Sequence, residues 1–285
     1  MTQTAAIYYV PEGYDTSGQR LLGRQAAGEG FLKGLVQHGA SDRLFCYAES
    51  RGHLQDFVSR VQPWNRRQLH VTWVPHGDQR GLGTAGTLYR PDFLLEDHAW
   101  QRRYVDPRAY SLCGVTHTIA TRRALDSLGR LLLAPLEPWD ALICTSRAVR
   151  DAVVHVHRSF GAYLAERCGA TRVSPRLELP IIPLGVDTDK LAENASPKAR
   201  AALRSELSIA EDDVVVLYEG RLIHYAQAHP VPMYLALEKA ARRTSKKLHL
   251  IQAGWFEQEG QVEQDYREAA ARLCPSVRSV FLDGR

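Results

Sequence analysis

Asp213–Arg221 reads DVVVLYEGR, a run of strand-forming apolar residues, Val214–Tyr218, that ends on a glycine and an arginine. A short loop follows, then a helical pattern from Pro230 to Arg243. Short apolar runs alternating with helix-length periodic segments belong to parallel sheets covered by helices. The arginine thus stands at the C-terminal edge of a strand, facing a helix start. A guanidinium there can hold a diphosphate through paired hydrogen bonds, assisted by the helix dipole. It can equally be a strand-end arginine paired with a surface carboxylate.

Working outward, the same pattern continues as a strand over Leu248–Ala253, a helix over Gln261–Leu273 and a strand over Val277–Leu282. Three strands make a thin sheet, so this second domain reads as unfinished, with an unpaired edge at Val277–Leu282. On the N-terminal side, Asp189–Asp213 is charged, alanine-rich and broken by Pro197, and reads as a linker carrying one short helix, PKARAALRSEL. The boundary is set there, giving domains at 1–200 and 206–285. Earlier strands are expected at Ala5–Val10, Leu44–Ala48, Leu69–Val74, Tyr110–Thr116, Asp140–Thr145 and Leu177–Ile182. Helices are expected over 23–39, from 118 to Pro135, and from Ser146, a natural N-cap, to Gly169. The class is α/β.

A chain of 285 residues accommodates two domains with sizeable cores. Hydrophobic residues at 45% and charged residues at 24% exclude a disordered chain. A net charge of +4 is too small for a dedicated nucleic-acid binder and compatible with an anionic ligand. Cys46, Cys113, Cys144, Cys168 and Cys274 show no metal-ligand spacing, so a reducing, cytoplasmic setting and no bound metal are expected. The start, MTQTAAIYYVPEGYD, is not a signal peptide, and no apolar stretch reaches transmembrane length; peripheral membrane contact stays open.

Gly81-Leu82-Gly83-Thr84-Ala85-Gly86 matches G-x-G-x-x-G, but six residues separate it from the preceding strand and Pro91 falls early in any helix that would follow. A dinucleotide fingerprint needs strand, loop and helix in direct succession, so a surface or acceptor-side loop is expected instead. The glycines at 18 and 23 echo a phosphate-binding loop without its Lys-Ser/Thr.

Leu217-Tyr218-Glu219-Gly220-Arg221-Leu222 resembles the GRL segment that opens the donor domain of family 4 (group 1) retaining glycosyltransferases of the GT-B fold. Ile181–Asp187, IIPLGVD, resembles the P-x-G-V-D that ends their acceptor domain, 34 residues before Arg221. Ala141–Ser146 resembles the strand and capping serine that precede it, and HYAQAHPVPMYLALE is similar to the H-A-K-A-H-P-x-P-M-Y of one subgroup. The resemblance implies two Rossmann-like domains with parallel sheets, the second truncated.

It also implies site residues. Gly220 and Arg221 would hold the nucleotide diphosphate; the family's lysine nearby aligns with Gln227, which supplies no charge. His117, in Gly114-Val115-Thr116-His117-Thr118, would contact the donor sugar near the reacting carbon; read alone, such a histidine can also be structural. Gly18 would lie in an acceptor-side loop by the leaving phosphates, Gly254 would let the chain approach the nucleotide, and Gly284 would sit beside the base. The family's E-x7-E carboxylate pair has no counterpart up to Arg285.

The activity implied is retaining transfer of a hexose from a nucleotide-diphosphate sugar to an acceptor hydroxyl, without metal or other cofactor, by a protein that this fragment represents in inactive form. Partners would be the nucleotide sugar and a carbohydrate, lipid or small-molecule acceptor. The alternative is a non-catalytic nucleotide- or acceptor-binding module, which Gln227 in place of lysine favours; an NAD-linked enzyme using Gly81–Gly86 is a third reading.

Overall fold

The computed structural model describes residues 4–18, 23–225, 227–256 and 260–283. The chain divides into two compact units, Met1–Val186 and Asp187–Arg285. In the first, the elements run β1 (Ala6–Tyr8), α1 (Gly23–His38), β2 (Arg43–Ala48), α2 (Arg51–Val61), β3 (His70–Pro75), α3 (Gln79–Ala85), β4 (Thr87–Tyr89), α4 (Glu96–Val105), β5 (Ser111–Val115), α5 (Arg122–Arg130), β6 (Ala141–Ile143) and α6 (Arg147–Cys168). The second contains α7 (Thr188–Asn194), α8 (Pro197–Glu206), β7 (Val214–Glu219), α9 (Pro230–Ala241), β8 (Leu248–Gly254), α10 (Gln261–Leu273) and β9 (Val277–Asp283). Among the described residues both sheets are wholly parallel, ordered β3-β2-β1-β4-β5-β6 and β7-β8-β9.

Alternation along the first sheet sends side chains into a core on each face. Ala6, Phe45, Tyr47 and Leu88 enter one cluster with Leu82, Leu95, Leu112 and Leu142. Ile7, Leu44, Cys46 and Ala48 enter the other with Leu32, Val36 and Phe57. Both faces are therefore covered, which is why the strands read as continuous apolar runs. In the second sheet, Leu248 and Leu250 pack with Tyr234 and Ala270 on one side, and Ile251 packs with Leu207 and Ile209 on the other.

Side-chain caps set many helix starts. Ser50, Asp78, Thr121, Ser146, Asp187 and Ser196 each accept from the backbone N–H of the third residue of the following helix, at 3.0–3.2 Å. Each such cap contributes about 1 kcal/mol. Gly169 closes α6 in the left-handed region, at φ 66°, where a side chain would be strained.

Two expectations change, and the expected open edge at β9 is joined by a second one. The strand over Leu177–Ile182 is reduced to two isolated bridges beside β6, at Glu178 and Ile181, because Pro180 and Pro183 lack the N–H groups a ladder needs. The Gly81–Gly86 loop is α3 itself: Asp78 caps its start and Gly86, at φ 80°, ends it. Its glycines lie inside a short helix rather than before one, so no amide cradle for a dinucleotide forms there. In the second sheet both outer strands have open edges, and β7 is the barer, with Leu217 60% exposed.

Fully buried at the base of the first unit, Arg102 pairs bidentately with Asp140 at 2.6 Å. Asp140 also accepts from the amides of Leu112 and Glu137, and Arg102 donates to the Tyr110 carbonyl. This desolvated pair, with only Arg102 Nε left without a partner, fixes β5, β6 and α4 in one arrangement, and removing one partner alone would cost about 3–5 kcal/mol.

Candidate functional site

In open parallel sheets, ligands bind outside the carboxyl ends of the strands. At that edge of the second unit, β7 ends in Gly220, whose φ of 145° only glycine adopts freely. Its N–H donates to the Ala253 carbonyl at 3.0 Å, and the Leu222 N–H donates to the Trp255 carbonyl at 3.0 Å. Gly254 is required at this crossing, because a Cβ there would collide with the Gly220 carbonyl. The two glycines therefore let β7 and β8 run together to their ends and turn Arg221 out at the edge. The Tyr218 hydroxyl donates to the Arg221 carbonyl at 3.3 Å, steadying the turn. Among the described residues no ion pair engages the half-buried Arg221 guanidinium, which stands against the surface-pair reading.

The helix start opposite is less hospitable to phosphate than the sequence pattern implies. An α-helix offers its first backbone N–H groups to an anion, yet Pro230 and Pro232 have none, and the Val231 N–H is aligned with Nδ1 of His229 at 3.4 Å. The helix dipole remains, but most of the amide cradle does not. Gln227 is exposed, with its N–H donating to the Ile223 carbonyl at 3.2 Å. Gly284 lies outside the described residues.

In the first unit, the strand order reverses between β1 and β4, and the loops after β4 and β5 close together beside that point. Arg90 N–H donates to the Cys113 carbonyl at 2.8 Å and Val115 N–H to the Asp92 carbonyl at 3.1 Å. His117 follows β5, and its Nε2 donates to the Pro91 carbonyl at 2.9 Å. A carbonyl only accepts, so this bond fixes the proton on Nε2 and leaves Nδ1 as an acceptor. Burial lowers the His117 pKa, keeping the ring neutral at pH 7.

Beside it lies a constellation that sequence reasoning missed. Arg90 holds both Asp92 oxygens at 2.8 Å, meets Nε2 of His98 at 2.8 Å and lies over the Tyr8 ring at 4.0 Å. His98 is pushed down to about 4, first by burial and then by the Arg90 charge, so it accepts from Arg90 as a neutral ring. These residues come from separate segments with no common spacing; the one available signal was an arginine, a proline and an aspartate directly after a buried strand.

Gly18 is exposed with open space around its Cα. The segment before it is anchored: Tyr14 is fully buried, its hydroxyl donates to the Tyr8 carbonyl at 3.0 Å, and Arg60 donates to its carbonyl at 2.9 Å. Gly28 is required under this segment, since a Cβ would stand 2.7 Å from the Gly13 carbonyl. The structure thus gathers Gly220, Arg221 and Gly254 at one edge of the second sheet, and sets His117 at the carboxyl edge of the first. A cavity of about 610 Å³ lies elsewhere, between α5 and α6 along Gly129, Val156 and Phe160, and is lined by none of these residues.

No protein-family profile and no curated protein sequence matches this chain. Solved structures do. HepE from Anabaena in complex with UDP superposes with a TM-score of 0.57 at 14% identity, over 98% of this chain and 69% of that one. The same protein with UDP and glucose gives 0.56 at 16% identity over 99% and 70%, and with UDP-glucose 0.52 at 15% over 98% and 69%. The likeness shows the fold, and the fold class is the one read from the sequence: two Rossmann-like units with parallel sheets, of the GT-B kind.

Proposed function

We propose that the chain is a nucleotide-sugar glycosyltransferase, or the greater part of one, in which Arg221 holds the donor diphosphate and His117 faces the donor sugar. The observation that carries this reading is the Gly220–Gly254 crossing, which presents an arginine free of described ion pairs at the carboxyl edge of a parallel sheet. The fold it shares with HepE, solved with UDP and UDP-glucose, supports UDP and UDP-glucose as the first ligands to try. In the reaction the bond from the hexose anomeric carbon to the diphosphate oxygen breaks with its electrons, and Arg221 stabilises that departing charge. The acceptor oxygen forms the new bond on the same face and yields its proton to the leaving phosphate, so configuration is retained. The proton-free Nδ1 of His117 accepts from a sugar hydroxyl; the ring is not the proton donor. The step calls for no metal, and the five thiols suit a cytoplasmic enzyme.

Incubation with UDP-glucose and candidate hydroxyl acceptors, with UDP release and product configuration followed by NMR, tests the assignment. An α-linked product from the α-linked donor supports it, and a β-linked product overturns the retaining step. Gln227 and the proline-stripped start of α9 favour a second reading, a nucleotide-binding module without turnover. Saturable UDP binding with no UDP release from UDP-glucose under any acceptor would select it.

A further inference from the structure

We propose that the second unit holds a small-anion site, sized for a single halide ion, in the cavity between β7, β8, α9 and α10. The cavity measures about 40 Å³ and is lined by Tyr218, His229, Pro230, Met233, Gln252 and Tyr266, with Ala228 at its margin. Pockets for organic ligands run to roughly 300 Å³ and more, so this one has room for an ion or water and not for a sugar or nucleotide.

Two buried polar groups on its wall have no partner. Gln252 is fully buried; its Oε1 accepts from the Tyr234 hydroxyl at 3.0 Å, and its Nε2 is unsatisfied. Tyr266 is 4% exposed, and its hydroxyl is unsatisfied as well. Buried polar atoms are normally paired, so two orphans on one small cavity indicate an occupant. An amide nitrogen only donates, and burial holds the Tyr266 hydroxyl in its protonated form, able to donate. His229 Nδ1 faces the Val231 N–H as its acceptor, and its ring is exposed. Among the described residues no carboxylate lines the cavity, and the positive end of the twelve-residue α9 opens on it. Donors under a positive dipole select an anion over a cation.

The occupant would touch Tyr218, whose hydroxyl holds the Arg221 carbonyl. Halide would then brace the turn that carries Arg221 and tighten nucleotide binding, a consequence that rests on the proposed function; the site itself does not.

Thermal unfolding of the full chain in sodium chloride or bromide, against sodium gluconate at equal ionic strength, tests the site with Tyr266→Phe and Gln252→Met. Halide should raise the midpoint of the parent chain by a few degrees and leave both variants unmoved. In gluconate, Tyr266→Phe should melt at or above the parent, because it removes a buried hydroxyl that has no partner; in chloride it should melt below. Chloride-35 NMR line broadening by the parent and not by Tyr266→Phe gives a readout independent of stability. Equal halide shifts in all three proteins, or no halide response with Tyr266→Phe destabilised in both salts, overturns the proposal, and the second result assigns the cavity to an ordered water. A halide response in a protein that binds no UDP keeps the anion site and removes the nucleotide reading.

Discussion

At His117, one hydrogen bond decides which chemistry is open to the ring. With Nε2 committed to the Pro91 carbonyl and the pKa lowered by burial, the side chain offers an acceptor and holds no proton to give. His117→Ala should lower sugar transfer about tenfold, the worth of one hydrogen bond in a partly desolvated site, while UDP affinity stays within twofold. Parallel kinetics and calorimetry check this, and an unchanged transfer rate makes His117 a packing residue. Gln227→Lys adds a cation to the loop that follows Arg221. It should tighten UDP binding severalfold at low salt, with the gain shrinking toward 0.5 M, as measured by a salt titration of the affinity. Arg221 was visible in the sequence because it stands just past the end of an apolar strand, and His117 through the family resemblance, at a strand-to-helix edge. Arg90, Asp92 and His98 were not, because they meet only when the loop after β4 folds against α4.

At the scale of elements, the crossing of β7 and β8 is the most constrained piece of backbone. Gly254→Ala drives a methyl into the Gly220 carbonyl and should destabilise the second unit by about 2 kcal/mol. UDP binding should weaken with it as Arg221 is displaced. Denaturant titration followed by the fluorescence of Trp255, together with UDP calorimetry on the same variant, measures both effects. The strands of the second unit were legible almost to the residue, since each is a short run rich in apolar and β-branched residues bounded by a helix or a turn. The helices α3 and α4 were not, since QRGLGTA and EDHAWQRRYV carry few apolar residues at helical spacing; α2, RGHLQDFVSRV, has Leu54, Phe57, Val58 and Val61 at that spacing behind the Ser50 cap and went unread. The start of α9 was legible as a position but misread as a phosphate cradle, because its prolines fix the helix while removing the amides.

For the whole molecule, the first unit buries neutral histidines. Burial lowers the pKa values of His98, His117 and His157, with His98 pushed down to about 4. The unfolded chain then binds protons more readily than the folded one. The stabilisation is complete above the unfolded value near 6.5 and is lost as pH falls through the folded values. Between pH 6.5 and 4, His98 alone should contribute a slope approaching 1.4 kcal/mol per pH unit. Urea titrations at pH 7.5, 5.5 and 4.5 should show that fall, and His98→Gln should flatten it; a parallel fall in the variant would assign the acid sensitivity elsewhere. The division into two parallel α/β units was legible from the alternation of apolar runs and helical segments. The Arg102–Asp140 pair was beyond reading, since its partners lie 38 residues apart on different elements.

Calorimetric titration of UDP into the full chain and into Arg221→Ala tests most directly whether the carboxyl edge of the second sheet is a nucleotide site. Saturable binding by the parent, weakened in the variant by about 1.5–3 kcal/mol, or roughly ten- to a hundredfold in affinity, is the predicted result. Equal affinities for the two proteins, or a parent chain that does not bind UDP, would contradict it.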